Sequence, residues 1–354
     1  MELTGELIDN KILITKSKQV GRLFNKSRFG KPLTGNRLHL NLLEGVFLLG
    51  EGKLRIFYEK EAISFQQLFE KASIDIPHFE QKYIVFRDLR KRGLFAQLNF
   101  ESGDYEIIVT SKQSENKSKN RLSRIYTFSE RDRIKIIQLT DYLKTFEKRE
   151  IDLWIAIVDE EGDITYYDIS KITPSGENRK HKFNKTKGIL LENRVVIFDK
   201  KSSEKLFKKE FIGKPFEGGL QISFVEALYL MENKVLNIFK MHESKSISFS
   251  KFLKIAKKTQ PDIELRIFVY RDLKKRGLIV KTGFKFGTHF RVYTRNPDQI
   301  HAEYLIQVVE KEYNEVWSEI SRAVRLAHSV NKGFIFGKIK DDKIEYIKFG
   351  RLRP

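Results

Sequence analysis

The segment "FRDLRKRGL" (Phe86–Leu94) returns in the same chain as "YRDLKKRGL" (Tyr270–Leu278), 184 positions later. Each copy combines apolar residues at helical spacing with a dense basic face, and each ends on a glycine followed by leucine. Glycine after a basic, amphipathic run is typical of a helix C-terminus. The repeat therefore predicts one helix, built twice, with a strand starting just beyond it.

Further matches between the two halves keep the same order along the chain. "GKP" recurs at Gly30–Pro32 and Gly213–Pro215, and "ISF" at Ile63–Phe65 and Ile247–Phe249. "NLLEGVFLL" from Asn41 matches "SFVEALYLM" from Ser223. Four ordered anchors with nearly constant spacing indicate a tandem duplication, and so long a period indicates two globular copies rather than a solenoid.

The two copies and their parts can be placed on the sequence. "TPSGENRKHKFNKTKG" is rich in polar, Pro and Gly residues and is the predicted linker. Alternating strands such as "HFRVYT" and an amphipathic helix at Trp317–Val330 predict a helix over a mixed sheet, an α+β fold. Each copy is predicted to have an N-terminal α/β domain and a C-terminal mixed-sheet domain. These units are residues 1–82 and 83–172 in copy one, 173–188 for the linker, and 189–265 and 266–354 in copy two.

Composition narrows the functional classes. The 354 residues include no cysteine, which excludes disulfides, thiolate nucleophiles and Cys-ligated zinc. The N-terminus "MELTGELIDNK" lacks the apolar run of a signal peptide, and we expect a cytoplasmic protein without membrane association. A formal charge of +20 favours polyanionic partners, with nucleic acid ahead of an anionic membrane surface, although a solvated lysine-rich surface is the simpler alternative.

Residues found in only one copy are not needed for the shared fold. With Gly103 aligned to Gly287, Tyr293 falls opposite Val109, and Lys332 falls near Asp152. Copy two also has three histidines in a stretch where copy one has none: His289, His301 and His328. By residue type alone, each of these is more often a packing or solvated group than a catalyst.

Tyr, His and Lys together can cleave RNA without a metal. A tyrosinate can take the 2′-hydroxyl proton, an imidazolium can protonate the 5′ leaving oxygen, and an ammonium can stabilise the phosphorane. Free tyrosine has a pKa of about 10, so this chemistry requires a basic pocket around the phenol that lowers its pKa.

Longer motifs resemble the archaeal tRNA-splicing endonucleases of the fused two-copy, homodimeric type. "GFKFGTHFRVYTR", "IHAEYLIQV" and "RLAHSVNKG" resemble that family's catalytic-domain motifs, and "IAIVDEEGDITYYDI" resembles its acidic loop. The resemblance implies a C-terminal nuclease-type domain that cuts precursor tRNA at bulge-helix-bulge junctions. It implies a 2′,3′-cyclic phosphate and a 5′-hydroxyl as products, formed without a metal.

The resemblance also implies residue roles. Tyr293 corresponds to the family's base, His301 to its acid, and Lys332 to its transition-state stabiliser. Arg325 and Arg351 correspond to a pair that clamps a bulge base, with Arg353 as a rival for the second position.

The acidic loop leads to an expectation about assembly. It holds four carboxylates within five residues: Asp159, Glu160, Glu161 and Asp163. Such a cluster is unfavourable unless it faces cations or water, and a solvated hairpin tip is the simpler alternative. In the family the corresponding loop docks into the opposing subunit, which implies a homodimer.

Two other functional classes stay open on sequence alone. A metal-dependent restriction-type nuclease could use Pro297–Asp298 with Asp341-x-Lys343, and a non-catalytic RNA-binding subunit would need no active site. The sequence has no P-loop, no dinucleotide fingerprint and no His-Glu-x-x-His pair, so we expect no nucleotide cofactor and no metal.

Overall fold

The predicted duplication is confirmed by two runs of corresponding helices and strands in the same order. The computed structural model describes residues 3–99, 106–111, 121–147, 149–179 and 181–354. Copy one contains β1 (Thr4–Ile8), β2 (Lys11–Ile14), α1 (Ser17–Val20), β3 (Lys31–Leu33), β4 (Arg37–Asn41), α2 (Leu42–Gly50), β5 (Arg55–Tyr58), β6 (Glu61–Ala62), α3 (Phe65–Asp75), α4 (Phe79–Lys91), β7 (Phe95–Asn99), β8 (Glu106–Ser111), β9 (Arg121–Ser129), β10 (Arg133–Lys135), α5 (Ile136–Glu147), β11 (Asp152–Val158) and β12 (Ile164–Ile172).

Copy two follows the same plan. It contains β13 (Thr186–Leu190), β14 (Val195–Ile197), α6 (Lys200–Glu210), β15 (Lys214–Phe216), β16 (Gly219–Ile222), α7 (Phe224–Glu232), β17 (Leu236–Lys240), β18 (Ser246–Ile247), α8 (Phe249–Thr259), α9 (Ile263–Lys275), β19 (Ile279–Thr282), β20 (Phe290–Tyr293), β21 (Tyr304–Val309), β22 (Asn314–Val316), α10 (Trp317–Ser329), β23 (Gly333–Lys340) and β24 (Lys343–Leu352). Short turns of π-helix at Gly21–Lys26 and of 3₁₀-helix at Phe284–Phe286 complete the described elements.

The repeated "GKP" and glutamate anchors fix each N-terminal domain. The Glu44 carboxylate caps the start of α2 and accepts the Gly30 backbone N–H at 2.9 Å. Glu226 does the same for α7 and the Gly213 N–H, at 2.8 Å. Both glycines have positive φ and lie against the neighbouring strand, where a Cβ would come within 2.7 Å or less of a backbone oxygen. The anchors are therefore structural in both copies.

Both N-terminal domains share one sheet topology. The strand orders are β3-β4-β2-β1-β5-β6 in copy one and β15-β16-β14-β13-β17-β18 in copy two. β13 begins at Thr186 and pairs in parallel with β17, so the last three residues of the predicted linker belong to this sheet. The predicted linker boundary at residue 188 is too late, because the apolar pattern of β13 is weak.

The two C-terminal domains join in one ten-stranded sheet. Its order is β19-β20-β21-β23-β24-β12-β11-β9-β8-β7, in which each strand of copy two mirrors its counterpart in copy one. The junction is an antiparallel pairing of β12 with β24 over seven residue pairs, centred on Ile169 and Phe349. On one face, α5 and α10 cover this junction with a shared apolar core that includes fully buried Trp317 and Tyr167.

The strand register corrects one sequence alignment. Phe95 and Ile279 open equivalent strands, and they pair with Thr110 and Tyr293 respectively. Thr110, not Val109, therefore corresponds to Tyr293. Thr110 lies 15 positions after its partner Phe95, whereas Tyr293 lies 14 positions after Ile279, so copy one has one extra residue between the paired positions. Gly103, on which the alignment rested, lies outside the described residues.

The repeated basic helix has a defined structural role. In copy two, Asp272 on α9 accepts hydrogen bonds from the Tyr346 hydroxyl at 2.7 Å and from Arg276 Nε at 2.6 Å. In copy one, Asp88 holds Tyr166 and Arg92 in the same way, both at 2.8 Å. Burial, and then the neighbouring aspartate, raise the pKa of both phenols, so each tyrosine stays a hydrogen-bond donor. In each copy the hydrogen bond between the tyrosine and the aspartate attaches the helix to a central strand of the sheet. We call the pairs Asp88–Tyr166 and Asp272–Tyr346 the latches.

This latch generates a stability prediction. Tyr346→Phe removes a hydrogen bond to a carboxylate and should lower the free energy of unfolding by about 1.5–3 kcal/mol, measured by urea denaturation. Tyr58→Phe is the matched control, because Tyr58 is exposed and its change should stay within about 0.5 kcal/mol. Equal stabilities of the two variants would contradict the latch.

Candidate active site

Three neighbouring strands bring the predicted catalytic residues to one edge of the sheet. β20 ends at Tyr293, β21 begins three residues after His301, and β23 begins directly after Lys332. β20 runs antiparallel to β21, and β21 runs parallel to β23. The end of β20 and the starts of β21 and β23 therefore lie side by side. Residues 293, 301 and 332 converge there although up to 39 positions separate them.

Tyr293 is held in a small apolar cluster. It is 8% exposed and packs with Ile279 and Ala302, against Phe211 from the N-terminal domain of copy two. The Arg291 guanidinium lies 5.9 Å from the centre of the Tyr293 ring. The Arg291 Nε is buried and has no hydrogen-bond partner among the described residues. By the strand register, its counterpart in copy one is Ile108, so this cation is specific to copy two.

Lys332 enters the site from the end of α10. Asn331 has positive φ and turns the chain, and the Lys332 Nζ donates to the Val330 carbonyl at 3.1 Å. The ammonium lies 5.8 Å from the centre of the Phe286 ring. Partial burial lowers the pKa of Lys332, and the charges of Lys285 and Arg291 lower it further. This cluster of cations favours an anionic ligand.

His301 and the other two histidines differ in environment. His301 is exposed on the loop before β21, and His328 is exposed near the end of α10. His289 is largely buried: its Nδ1 accepts the Val308 N–H at 2.9 Å and its Nε2 lies 3.1 Å from Asp262. Burial, and then Arg266, lower the pKa of His289 to about 4. His289 is therefore a neutral structural residue.

The predicted arginine pair lies on the α10 side of the sheet. Arg351 on β24 stands opposite Tyr167 on β12, and Arg325 is exposed on α10. Burial raises the pKa of the Tyr167 phenol, whereas the charges of Arg325 and Arg351 lower it, so both guanidinium groups lie within electrostatic range of one hydroxyl. Arg353 follows the last residue of β24.

The acidic residues form the tip of the β11–β12 hairpin. The Asp159 carboxylate accepts backbone N–H groups from Glu161 at 3.1 Å and Asp163 at 2.9 Å, so it closes the turn. Glu160 pairs with Arg131 in an exposed ion pair. The turn thus has a fixed shape and presents Glu161 and Asp163 outward.

A basic cleft separates the N-terminal and C-terminal domains of copy two. Its volume is about 1220 Å³. The cationic residues that line this basic cleft are Arg194, Lys214, Arg266, Lys281 and Arg291. Glu226 also lines it, but this carboxylate is already engaged in capping α7. The basic cleft can therefore accept an anionic segment.

The residues of the restriction-type alternative do not meet. Asp298 precedes β21, at the edge where β23 starts, whereas Asp341 follows the last residue of β23. The eight residues of β23 separate them by roughly 25 Å. In the described ranges, no cluster of three or more His, Asp or Glu side chains has the geometry of a metal site. The described helices also include none with the length and apolarity needed to cross a bilayer.

Sequence reasoning missed two residues of this site, Arg291 and Glu303. Both lie inside the quoted motifs and both are absent from copy one, where the strand register gives Ile108 and Leu122 as counterparts. Comparison of the two copies in the correct register would have identified them.

Family models and known proteins match both halves of the chain. The N-terminal domain of tRNA intron endonuclease matches residues 3–69 and 186–253, and the catalytic C-terminal domain matches residues 79–166 and 263–346. The tRNA-splicing endonuclease of Methanococcoides burtonii is 36% identical over 99% of this chain and 100% of its own length. That of Methanosarcina barkeri is 35% identical over 96% and 97%. That of Thermococcus onnurineus is 34% identical, but 89% of it spans only 42% of this chain. The chain belongs to the tRNA intron endonuclease family, with both of the family's domains present twice.

Proposed function

We propose that this protein excises introns from precursor tRNA by cutting bulge-helix-bulge junctions. The observation that carries the proposal is the convergence of Tyr293, His301 and Lys332 at one sheet edge of copy two. The relatives are named for tRNA splicing, and the charge of +20 suits an RNA substrate. We further propose that cleavage gives a 2′,3′-cyclic phosphate and a 5′-hydroxyl.

Each residue of the trio has an assigned step. Tyr293 removes the proton of the 2′-hydroxyl, whose oxygen then attacks the adjacent phosphorus. His301 donates a proton to the departing 5′ oxygen. Lys332 stabilises the extra negative charge of the phosphorane. The Arg291 guanidinium near Tyr293 and the cations around Lys332 supply the basic surroundings that a tyrosinate base requires.

Arg325 and Arg351 are proposed to hold an extruded base of the bulge. A guanidinium plane can stack on a base and also meet phosphate. The charges of both arginines lower the pKa of the same Tyr167 hydroxyl, against the larger effect of burial, and this supports the pairing. Arg353 stays the alternative second member, because it too is exposed beside the end of β24.

We propose that the chain assembles as a homodimer through the acidic loop and the basic cleft. Within one chain, four strand spacings separate β12 from β20, or roughly 19 Å. The turn of residues 159–163, which is closed by its own hydrogen bonds, is too short to bridge that distance. We therefore assign the complementary surface to a second copy of the chain. Each acidic loop would then brace the domain that carries the partner's catalytic trio.

His301→Ala tests the reaction proposal. Loss of a general acid should slow cleavage of an intron-containing precursor tRNA by roughly 10²–10⁴-fold while RNA affinity stays nearly unchanged. Cleavage rates are measured with the enzyme in excess over the RNA, and RNA affinity is measured by filter binding. His328→Ala is the matched control, because His328 is exposed on α10 and should tolerate replacement. His289 is unsuitable as a control because it is buried and hydrogen-bonded. Wild-type turnover by His301→Ala would remove the assignment and favour a different nuclease chemistry.

The assembly proposal predicts a salt-dependent dimer. Replacing Asp159, Glu160, Glu161 and Asp163 by Asn and Gln should weaken dimerisation and activity together, because the isosteric amides keep the turn but remove its charge. Sedimentation at several salt concentrations measures the effect, and wild-type dimers should loosen as salt rises. A fully active wild-type monomer, or a neutralised variant that dimerises as well as wild type, would exclude the proposal.

A further inference from the structure

The loop that carries His301 is closed at its base by one side-chain hydrogen bond. Thr294 directly follows Tyr293, and Glu303 lies two residues after His301. The Thr294 hydroxyl donates to the Glu303 carboxylate at 2.5 Å. Hydrogen bonds to an ionised carboxylate are short and stronger than neutral ones. The contact joins the two ends of the segment 294–303, which contains the proposed acid His301 and follows directly after the proposed base Tyr293.

The main chain of Glu303 links the strands that position the trio. Its N–H donates to the Val292 carbonyl at 3.0 Å, and its carbonyl accepts the Gly333 N–H at 2.8 Å. Val292 precedes Tyr293, and Gly333 follows Lys332. Glu303 thus contacts the backbone beside two of the three proposed catalytic positions and lies two residues after the third, His301.

The linker between the copies also contacts Thr294. The Glu177 N–H donates to the Thr294 carbonyl at 2.8 Å, and the Glu177 carboxylate pairs with Arg295 at 3.0 Å. Gly176 fits against this strand end so closely that a Cβ would come within 2.9 Å of the Thr294 oxygen. Thr294 is therefore held on its linker side by backbone contacts and on its loop side by Glu303.

Copy one lacks the carboxylate. Tyr304 pairs with Gly333 in copy two as Ser123 pairs with Asp152 in copy one, so Glu303 corresponds to Leu122. The parallel strand pair at this position, β9 with β11 and β21 with β23, forms in both copies. The fold therefore does not require a carboxylate there. Glu303 is also exposed, so it is not needed to fill the core.

We propose that Glu303 is a positioning residue for RNA cleavage: its hydrogen bond to Thr294 fixes the loop so that His301 faces the leaving oxygen. The inference rests on the proposed function, because it assigns Glu303 a role through His301. The contact is exposed in the free protein, where water competes for it, and bound RNA that covers the loop would strengthen it.

Two substitutions at position 303 test the role. Glu303→Leu introduces the copy-one residue, whereas Glu303→Gln keeps an oxygen that accepts from Thr294. Glu303→Leu should slow single-turnover cleavage by about 10- to 100-fold, and Glu303→Gln by less than about 5-fold. Affinity for a precursor tRNA with 2′-deoxyribose at the cleavage site should be unchanged in both. A wild-type rate for Glu303→Leu would overturn the proposal.

A substrate with sulfur in place of the 5′ bridging oxygen separates positioning from general disruption. A thiolate leaves without protonation, so the defect of Glu303→Leu should shrink at least about 10-fold on this RNA, as should that of His301→Ala. An undiminished defect in Glu303→Leu, with a rescued His301→Ala, would show that Glu303 does not act through His301. A wild-type rate for His301→Ala on ordinary RNA would instead refute the proposed function, and the Glu303 proposal with it.

Discussion

The antiparallel pairing of β12 with β24 is the contact on which the rest of the structure depends. It relates Ile172 to Tyr346 as it relates Leu352 to Tyr166, and so creates a local two-fold axis inside one chain. The pairing covers one edge strand of each five-stranded half. An exposed edge strand has unpaired backbone N–H and C=O groups, which can pair with strands of other molecules and cause aggregation. It also brings α5 beside α10, so that one apolar core serves both copies. Fully buried Lys338 in copy two, bonded to Thr140 in copy one at 2.9 Å, secures the same junction.

Duplication on this axis separates structural from functional residues. The latches at Asp88 and Asp272 and the capping glutamates of α2 and α7 occur in both copies because both need the same fold. The trio of residues 293, 301 and 332, with Arg291 and Glu303, occurs only in copy two. The proposed division is therefore physical: copy one keeps the scaffold and the acidic loop, and copy two keeps the groups that meet the RNA.

Local patterns predicted much of this arrangement. The sequence predicted a helix over Trp317–Val330, and α10 runs over Trp317–Ser329. This prediction succeeded because amphipathic spacing depends only on residues within the helix itself. The sequence did not predict the pairing of β12 with β24, because the residues of a strand do not indicate which distant strand it pairs with. Tyr293 was misaligned because the β7–β8 hairpin has one residue more between its paired ends than the β19–β20 hairpin. A shift of one residue moves the side chains of a strand to the other face of the sheet. The same shift concealed Arg291. The proposed roles of Tyr293, His301 and Lys332 came from a family resemblance, and the structure adds the common sheet edge.

Side chains of copy two are proposed to cleave RNA without a metal ion. This proposal is tested most directly by incubating the wild-type protein with an intron-containing precursor tRNA in excess EDTA and analysing the ends of the fragments. We expect undiminished cleavage, with a 2′,3′-cyclic phosphate on each 5′ fragment and a 5′-hydroxyl on the fragment that follows. Loss of cleavage in EDTA, or products with 5′-phosphate and 3′-hydroxyl ends, would contradict it.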